Sequence, residues 1–322
     1  MTEGSSTSSV DKADKQAVNA RLLRLATYAS VSVAVILIGA KFAAWVLTDS
    51  VSILSTLIDS LLDAGASMVT LFAVHHALQP PDAHHRFGHG KAEPLAGLGQ
   101  AAFITGSAAF LLIQAGERLL NPRTVLDVDL GLAVMVFGIV LTLALITFQS
   151  LVIRKTNSIA IKGDLAHYRM DVLVNFSVIV ALLLSTHLEW EYADPLFAIG
   201  ISIYIVWGAW RIGMQALNLL MDKELPQEDR DRIRTIVMSH PGVRSVHDMR
   251  TRSSGTQLFI QFHLEMDGNM TLFDAHTISD QVEAELMRAF PNSEIIIHED
   301  PEGLDEQHAE MAYQRFSPDA HD

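Results

Sequence analysis

Asp59 and Asp63 stand four residues apart inside one apolar stretch of this chain, and His167 and Asp171 repeat the spacing inside another. On a helix, residues i and i+4 share a face, so each pair aims at one spot. An ionised carboxylate near the centre of a bilayer costs about 2.5–3.5 kcal/mol on insertion scales, and three without partners cost on the order of 10 kcal/mol. If the two helices meet, three carboxylates and one imidazole converge into a four-ligand set for a divalent cation. A set of that kind within a membrane points to passage of a metal ion across it.

Ligand chemistry narrows the ion. Three carboxylates and an imidazole suit tetrahedral Zn²⁺, with Cd²⁺ and Fe²⁺ close behind. Cu(I) prefers sulfur, which none of the four ligands has. Mg²⁺ and Ca²⁺ call for six or more oxygens and no imidazole. The ligands bind metal only when deprotonated, so metal and protons displace one another. His167 titrates nearest neutrality and is the expected main proton carrier, which makes metal/proton antiport the expected mechanism. The competing structural reading neutralises the carboxylates with Lys41 or Arg169, but two basic residues do not account for two separate pairs.

These side chains need long apolar helices to hold them. Six apolar stretches, near 25–47, 51–78, 95–120, 128–153, 165–188 and 196–217, each approach the roughly 20 residues that cross a bilayer. The second carries a polar stripe of Ser52, Ser55, Asp59, Asp63, Ser67 and Thr70, and the fifth one of Asp164, His167, Asp171 and Asn175. Such stripes face a protein interior or a water-filled path. The chain has 322 residues, 49% of them hydrophobic, and a mean hydropathy of +0.26, which places it in the membrane class.

Lys and Arg set the orientation. One side has Lys12, Lys15, Arg21, Arg24, Arg86, Lys91, Arg154, Lys155 and Lys162; the other has Arg123, Arg118 near a helix end, and an acidic turn of Glu189, Glu191 and Asp194. The positive side is cytoplasmic, so both termini and the 79–94 loop are expected in the cytosol. No cleavable signal is evident, because the first apolar stretch is long and no small-residue cleavage pattern follows it.

Beyond residue 220 the pattern changes to helix (226–241), strand (243–252), strand (256–266), helix (271–290) and strand (293–298), a small cytosolic α+β domain of αββαβ order. The expected organisation is a disordered N-terminus (1–20), a six-span all-α bundle (21–220), this metal-binding domain (221–301) and a flexible tail (302–322). Residues 1–222 hold 14 Lys and Arg against 17 Asp and Glu, and the remaining residues hold 9 against 20. That acidic C-terminal third argues against a nucleic-acid partner and suits cations. With no cysteine, disulfides and thiolate metal sites are excluded.

Other histidines are candidate ligands. The loop Gln79-Pro-Pro-Asp-Ala-His-His-Arg-Phe-Gly-His-Gly-Lys91 offers Asp82, His85 and His89, with His84 an equally placed competitor. Its Gly-His-Gly-Lys segment lacks phosphate-loop spacing, so nucleotide binding is rejected. His75 and His76 lie off the Asp59/Asp63 face and read as interfacial. The soluble domain adds His247, His263, His276 and His298, with Asp300 close by; strand-edge placement favours a metal cluster over lone structural histidines. An intramembrane metalloprotease would need a His-Glu-x2-His helix, which is missing. A passive divalent-metal channel or a membrane metal sensor is the alternative function.

Taken together, the Asp-x3-Asp, the His-x3-Asp, Ser50-Val-Ser-Ile-Leu, Phe87-Gly-His-Gly-Lys-Ala-Glu93, His247-Asp-Met-Arg-Thr-Arg252 and Ile297-His-Glu-Asp-Pro301 resemble the cation diffusion facilitator family over residues 20–301. The resemblance implies a homodimer in the bacterial inner membrane that exports divalent metal through each protomer. It implies a transport site of Asp59, Asp63, His167 and Asp171, and a loop site of Asp82, His85 and His89. It further implies a binuclear cytosolic site, with His247, His263 and Asp300 on one ion, His276 and His298 on the other, and Asp300 bridging. Lys91 and Asp222 match an interlocking salt bridge near the membrane surface. The cytosolic domain resembles metallochaperones, and metal there clamps the dimer. Two residues depart from the pattern: Glu299, where a close relative has Gln, and His84.

Overall fold

The computed structural model describes residues 4–48, 51–120, 129–188, 193–255 and 257–303. They fall into two compact units, Met1–Leu220 and Met221–Asp322. Arg123, Glu189, Glu191 and nearly all of the expected 302–322 tail lie outside the described residues.

The first unit is helical: α1 (Gly4–Thr48), α2 (Val51–Ala77), α3 (Ala92–Leu120), α4 (Asp129–Thr156), α5 (Ile159–Leu188) and α6 (Ala193–Leu220). Among the described residues, α1 to α4 and α6 contain stretches long and apolar enough to cross a membrane. The expected fifth span, α5, is 30 residues long but is not one of those five. Its first half carries Lys162, Asp164, His167, Arg169 and Asp171, so the polar side chains of this helix are gathered toward one end.

One boundary differs from expectation. Composition reads residues 1–20 as disordered, yet α1 begins at Gly4. Residues 11–18, Asp-Lys-Ala-Asp-Lys-Gln-Ala-Val, contain no helix breaker, and Ala, Lys and Gln are strong helix formers. A helix already nucleated by the apolar stretch therefore extends through them at little cost.

Polar side chains tie the bundle together internally. Ser30, Ser67, Thr70, Gln100, Gln149, Asp164 and His167 are all buried, whereas Val35, Phe72, Phe110, Val140 and Trp210 are exposed. That is the inverse of a water-soluble bundle and fits one whose outer face meets hydrocarbon. At Gly163 a Cβ would lie 2.9 Å from Gln100 Cβ, so only glycine lets α5 approach α3 this closely. Gln100 in turn donates to Ala66 O (3.0 Å) and Thr70 Oγ1 (2.9 Å) on α2. The contact holds α2, α3 and α5 together one turn from His167.

The second unit follows the expected αββαβ order: α7 (Gln227–Met238), β1 (Ser245–Ser253), β2 (Leu258–Met266), α8 (Leu272–Ala289) and β3 (Ser293–Pro301). Pro226 precedes α7, whose first turn carries Glu228 and Asp229, where the helix dipole favours negative charge. Thr271 caps α8 by accepting from the Asp274 amide. The sheet order is β1-β2-β3, with β1 antiparallel and β3 parallel to β2. Parallel pairing needs a crossover, and α8 is that crossover. The core is built from Ile233, Val237, Val246, Ile260, Phe262, Leu264, Val282 and Leu286.

The last strand runs beyond the expected 298. It stays paired with β2 to Pro301, and Glu302 N then donates to Met266 O at 2.7 Å. His298 therefore lies within the strand and Asp300 is part of the sheet.

Candidate metal centres

In the helical unit, His167 Nε2 lies 3.0 Å from Asp63 Oδ1 and 3.7 Å from Asp171 Oδ2. One donor atom from each of Asp63, His167 and Asp171 lies within 4.8 Å of the others. The His167 ring is wholly buried, while the two carboxylates are about a quarter exposed. Neither ring nitrogen of His167 makes an aligned hydrogen bond. A buried imidazole without such a partner, facing two carboxylates, is what a cation-binding site looks like.

Asp59 is not part of this group. It stands one turn before Asp63 and is exposed. Asn175 donates to Asp171 O at 2.7 Å, so its amide is engaged with its own helix. Lys41 donates to Thr56 O (3.0 Å) and Ser60 Oγ (2.6 Å) on α2, and Arg169 is exposed on α5.

Beneath the group lies a buried network that spacing alone did not single out. Asp164 accepts from Ser30 Oγ (2.6 Å), Gln149 Nε2 (2.7 Å) and Ser67 Oγ (3.2 Å). Tyr168 Oη donates to Ser30 O at 3.1 Å and pairs with Ser67 Oγ at 2.9 Å. Helices α1, α2, α4 and α5 are thus pinned one turn from His167. The signal was Asp164's place on the polar stripe of its helix.

In the loop between α2 and α3, one donor atom each from Asp82, His85 and His89 again lies within 4.8 Å of the others. The amides of His84 and His85 donate to Asp82 Oδ1 at 2.8 and 2.7 Å. Donation from His85 and then His84 holds the Asp82 carboxyl below the usual carboxylate range and keeps it ionised, as a metal ligand must be. Asp82 Oδ2 faces His89 Nε2 at 3.3 Å, and Oδ1 lies 3.4 Å from His85 Nδ1. His85, not the competing His84, joins the group. Gly88, at φ 79°, turns the chain so that its amide donates back to His85 O at 2.9 Å, and His89 enters buried.

In the sheet, register does the positioning. His247 pairs with His263, and His263 with His298, so three imidazoles stand in one row across β1, β2 and β3. Asp300, two residues after His298, shares that face because strand side chains alternate. Its Oδ2 lies 2.8 Å from His263 Nδ1 and 3.5 Å from His247 Nε2, and its Oδ1 lies 3.2 Å from His298 Nε2. His247, His263 and Asp300 form the third group with donors within 4.8 Å. His276 does not join it: on α8 it is exposed, with Asp280 Oδ2 at 3.8 Å. A register shift between His247 and Arg250 breaks the alternation. It brings Asp248, which sequence reasoning missed, to 3.8 Å from His263 Nε2. A cavity of about 280 Å³ opens beside Asp248, His263 and His298.

Lys91 and Asp222 lie in different units. Lys91 Nζ reaches Leu220 O at 3.4 Å, and Asp222 Oδ2 lies 3.5 Å from Arg252 Nη1.

Known proteins bear on this geometry. Residues 27–221 match the cation efflux transmembrane domain, and residues 225–302 the cytoplasmic domain of cation efflux proteins. The chain is 48% identical to the cation-efflux pump FieF of Klebsiella pneumoniae subsp. pneumoniae, over 88% of its length and 94% of the relative's. It is 46% identical to the cation-efflux pump FieF of Escherichia coli, over 87% and 93%. The metal-bound C-terminal domain of the CzcD transporter from Thermotoga maritima is 29% identical; it matches 26% of this chain and 100% of that one, with a TM-score of 0.24.

Proposed function

This chain belongs to the cation diffusion facilitator family of cation efflux proteins, and from that premise we propose that it exports divalent metal from the cytoplasm in exchange for protons. It is a multi-pass membrane protein and a transporter of divalent cations rather than an enzyme. The observation that carries the finer reading is the meeting of Asp63 on α2 with His167 and Asp171 on α5 inside an apolar bundle. Zn²⁺ is the proposed main substrate, with Cd²⁺ and Fe²⁺ as further cargo, because the donor set mixes oxygen with imidazole and lacks sulfur.

Asp59, exposed one turn along α2, is the fourth ligand of the proposed transport site and joins when the helices shift between two openings. His167 is the main proton carrier, since metal cannot enter until its nitrogen is free. α5 completes a six-span bundle in the bacterial inner membrane with both termini cytoplasmic. Two protomers form the working unit. The Asp82/His85/His89 and His247/His263/Asp300 groups are accessory sites, with His298 and His276 offering a second cytosolic ion its ligands around Asp300.

The test is flux of Zn²⁺ into proteoliposomes under an imposed pH gradient. Uphill, saturable uptake that collapses with the gradient is expected. Flux indifferent to the gradient makes the protein a passive channel.

A further inference from the structure

His76 closes the last turn of α2, next to the loop group. Its ring centroid lies 4.4 Å from that of His89, at an interplanar angle of 63°. On the loop side, the His85 ring lies 4.7 Å from His89 at 50°. Imidazoles sharing one tetrahedral Zn²⁺, each at a bond of about 2.0 Å, have centroids roughly 5 Å apart. Both separations are within a small side-chain rotation of that value.

Other observations agree. A closed tetrahedral site takes four ligands, whereas the loop group comprises Asp82, His85 and His89. The His89 ring is 4% exposed, and its Nδ1 has no hydrogen-bond partner, so this ring is built into the fold and not merely displayed on it. His76 is exposed and free to turn about two side-chain bonds, yet its backbone is held where it accepts from Gln79 N at 3.0 Å. Its neighbour His75 points about 100° away around the helix. The nearby His84 acts through its amide on Asp82.

We propose that His76 is the fourth ligand of the loop site, completing a cage of three imidazoles and one carboxylate for a borderline divalent cation such as Zn²⁺. This rests on the reading of Asp82, His85 and His89 as ligands. Metal bound there ties the C-terminal end of α2, the helix bearing Asp59 and Asp63, to the segment that leads into α3.

The experiment uses full-length protein in detergent, with Asp63→Asn and Asp300→Asn introduced to silence the other two groups while keeping side-chain shape. Bound Zn²⁺ is examined by X-ray absorption and by competition titration. Three imidazole scatterers are expected, falling to two in His76→Ala with at least ~10-fold weaker binding. Two imidazoles in both proteins, with unchanged affinity and with binding lost only in His89→Ala, overturn the role of His76 and leave the loop site standing. Zn²⁺ binding untouched by His89→Ala overturns the loop site itself. Co²⁺ absorption in a single His76→Ala variant of the otherwise unaltered chain repeats the test should the double background not fold: loss of part of the tetrahedral band supports the cage, and an unchanged band overturns it.

Discussion

Gln149 on α4 donates a 2.7 Å hydrogen bond to the Asp164 carboxylate on α5, while Ser30 and Ser67 bring α1 and α2 to the same two oxygens. A buried hydrogen bond lost without replacement costs about 1–3 kcal/mol. Asp164→Ala removes the acceptor that three buried donors share, leaving Ser30 with Ala26 O, Gln149 with Ser30 Oγ and Ser67 with Tyr168 Oη. This variant is therefore expected to lower the thermal midpoint in detergent well beyond that of a surface control. A midpoint within experimental error of the parent shows that the network does not hold the bundle.

Gly163 faces Gln100 across the α3–α5 contact, with a built Cβ only 2.9 Å from Gln100 Cβ. Gly163→Ala is expected to force the helices apart at a cost of about 1–3 kcal/mol and, since His167 sits one turn on, to reduce flux more than expression. Crosslinking between cysteines placed on α3 and α5 reports the separation. Normal flux in Gly163→Leu contradicts the close approach.

His167→Ala should abolish Zn²⁺ flux and leave metal binding by the cytosolic cluster intact, because the two groups share no residue. Calorimetric titration beside vesicle flux separates the two effects. Equal loss of both indicates misfolding, and retained flux removes His167 from the path.

Chelation is expected to lower the unfolding temperature of the cytosolic unit, since an ion at 100 times its Kd stabilises the native state by about 2.7 kcal/mol. Asp300→Ala should abolish that response, because three imidazoles converge on this carboxylate. A metal response surviving in Asp300→Ala places the ion elsewhere.

Glu265 gives the cytosolic unit an acid-sensitive contact. Donation from the Ser245 hydroxyl, then from the Gly303 amide, holds its carboxyl below the usual glutamate range. The unfolded carboxyl titrates near about 4.3. The contribution is therefore complete above that pH and is lost as pH falls through the lower folded value. Glu265→Gln is expected to lower stability near pH 7 and to leave it nearly unchanged at acid pH, which flattens the acid limb of the stability profile. A parallel downward shift at all pH values argues against titration of this group.

What the chain alone determined is what depends on local periodicity. Apolar length announced most of the membrane helices, and the four-residue spacing put Asp59 with Asp63 and His167 with Asp171 on common faces, because a helical repeat is a property of neighbours in sequence. The αββαβ order was legible for the same reason. Tertiary structure decided everything that depends on pairing between distant segments. Interhelix packing selected Asp63 and Asp171 to face His167 while Asp59 stayed outside, and it buried Asp164 among four helices. The Asp82 turn chose His85 over His84, and the fold of the loop carried His89 against His76. Strand register aligned His247, His263 and His298 and left His276 on a helix facing Asp280. Such choices follow from how elements pack and slide against one another, and residue spacing within a single element is the same whichever way they do.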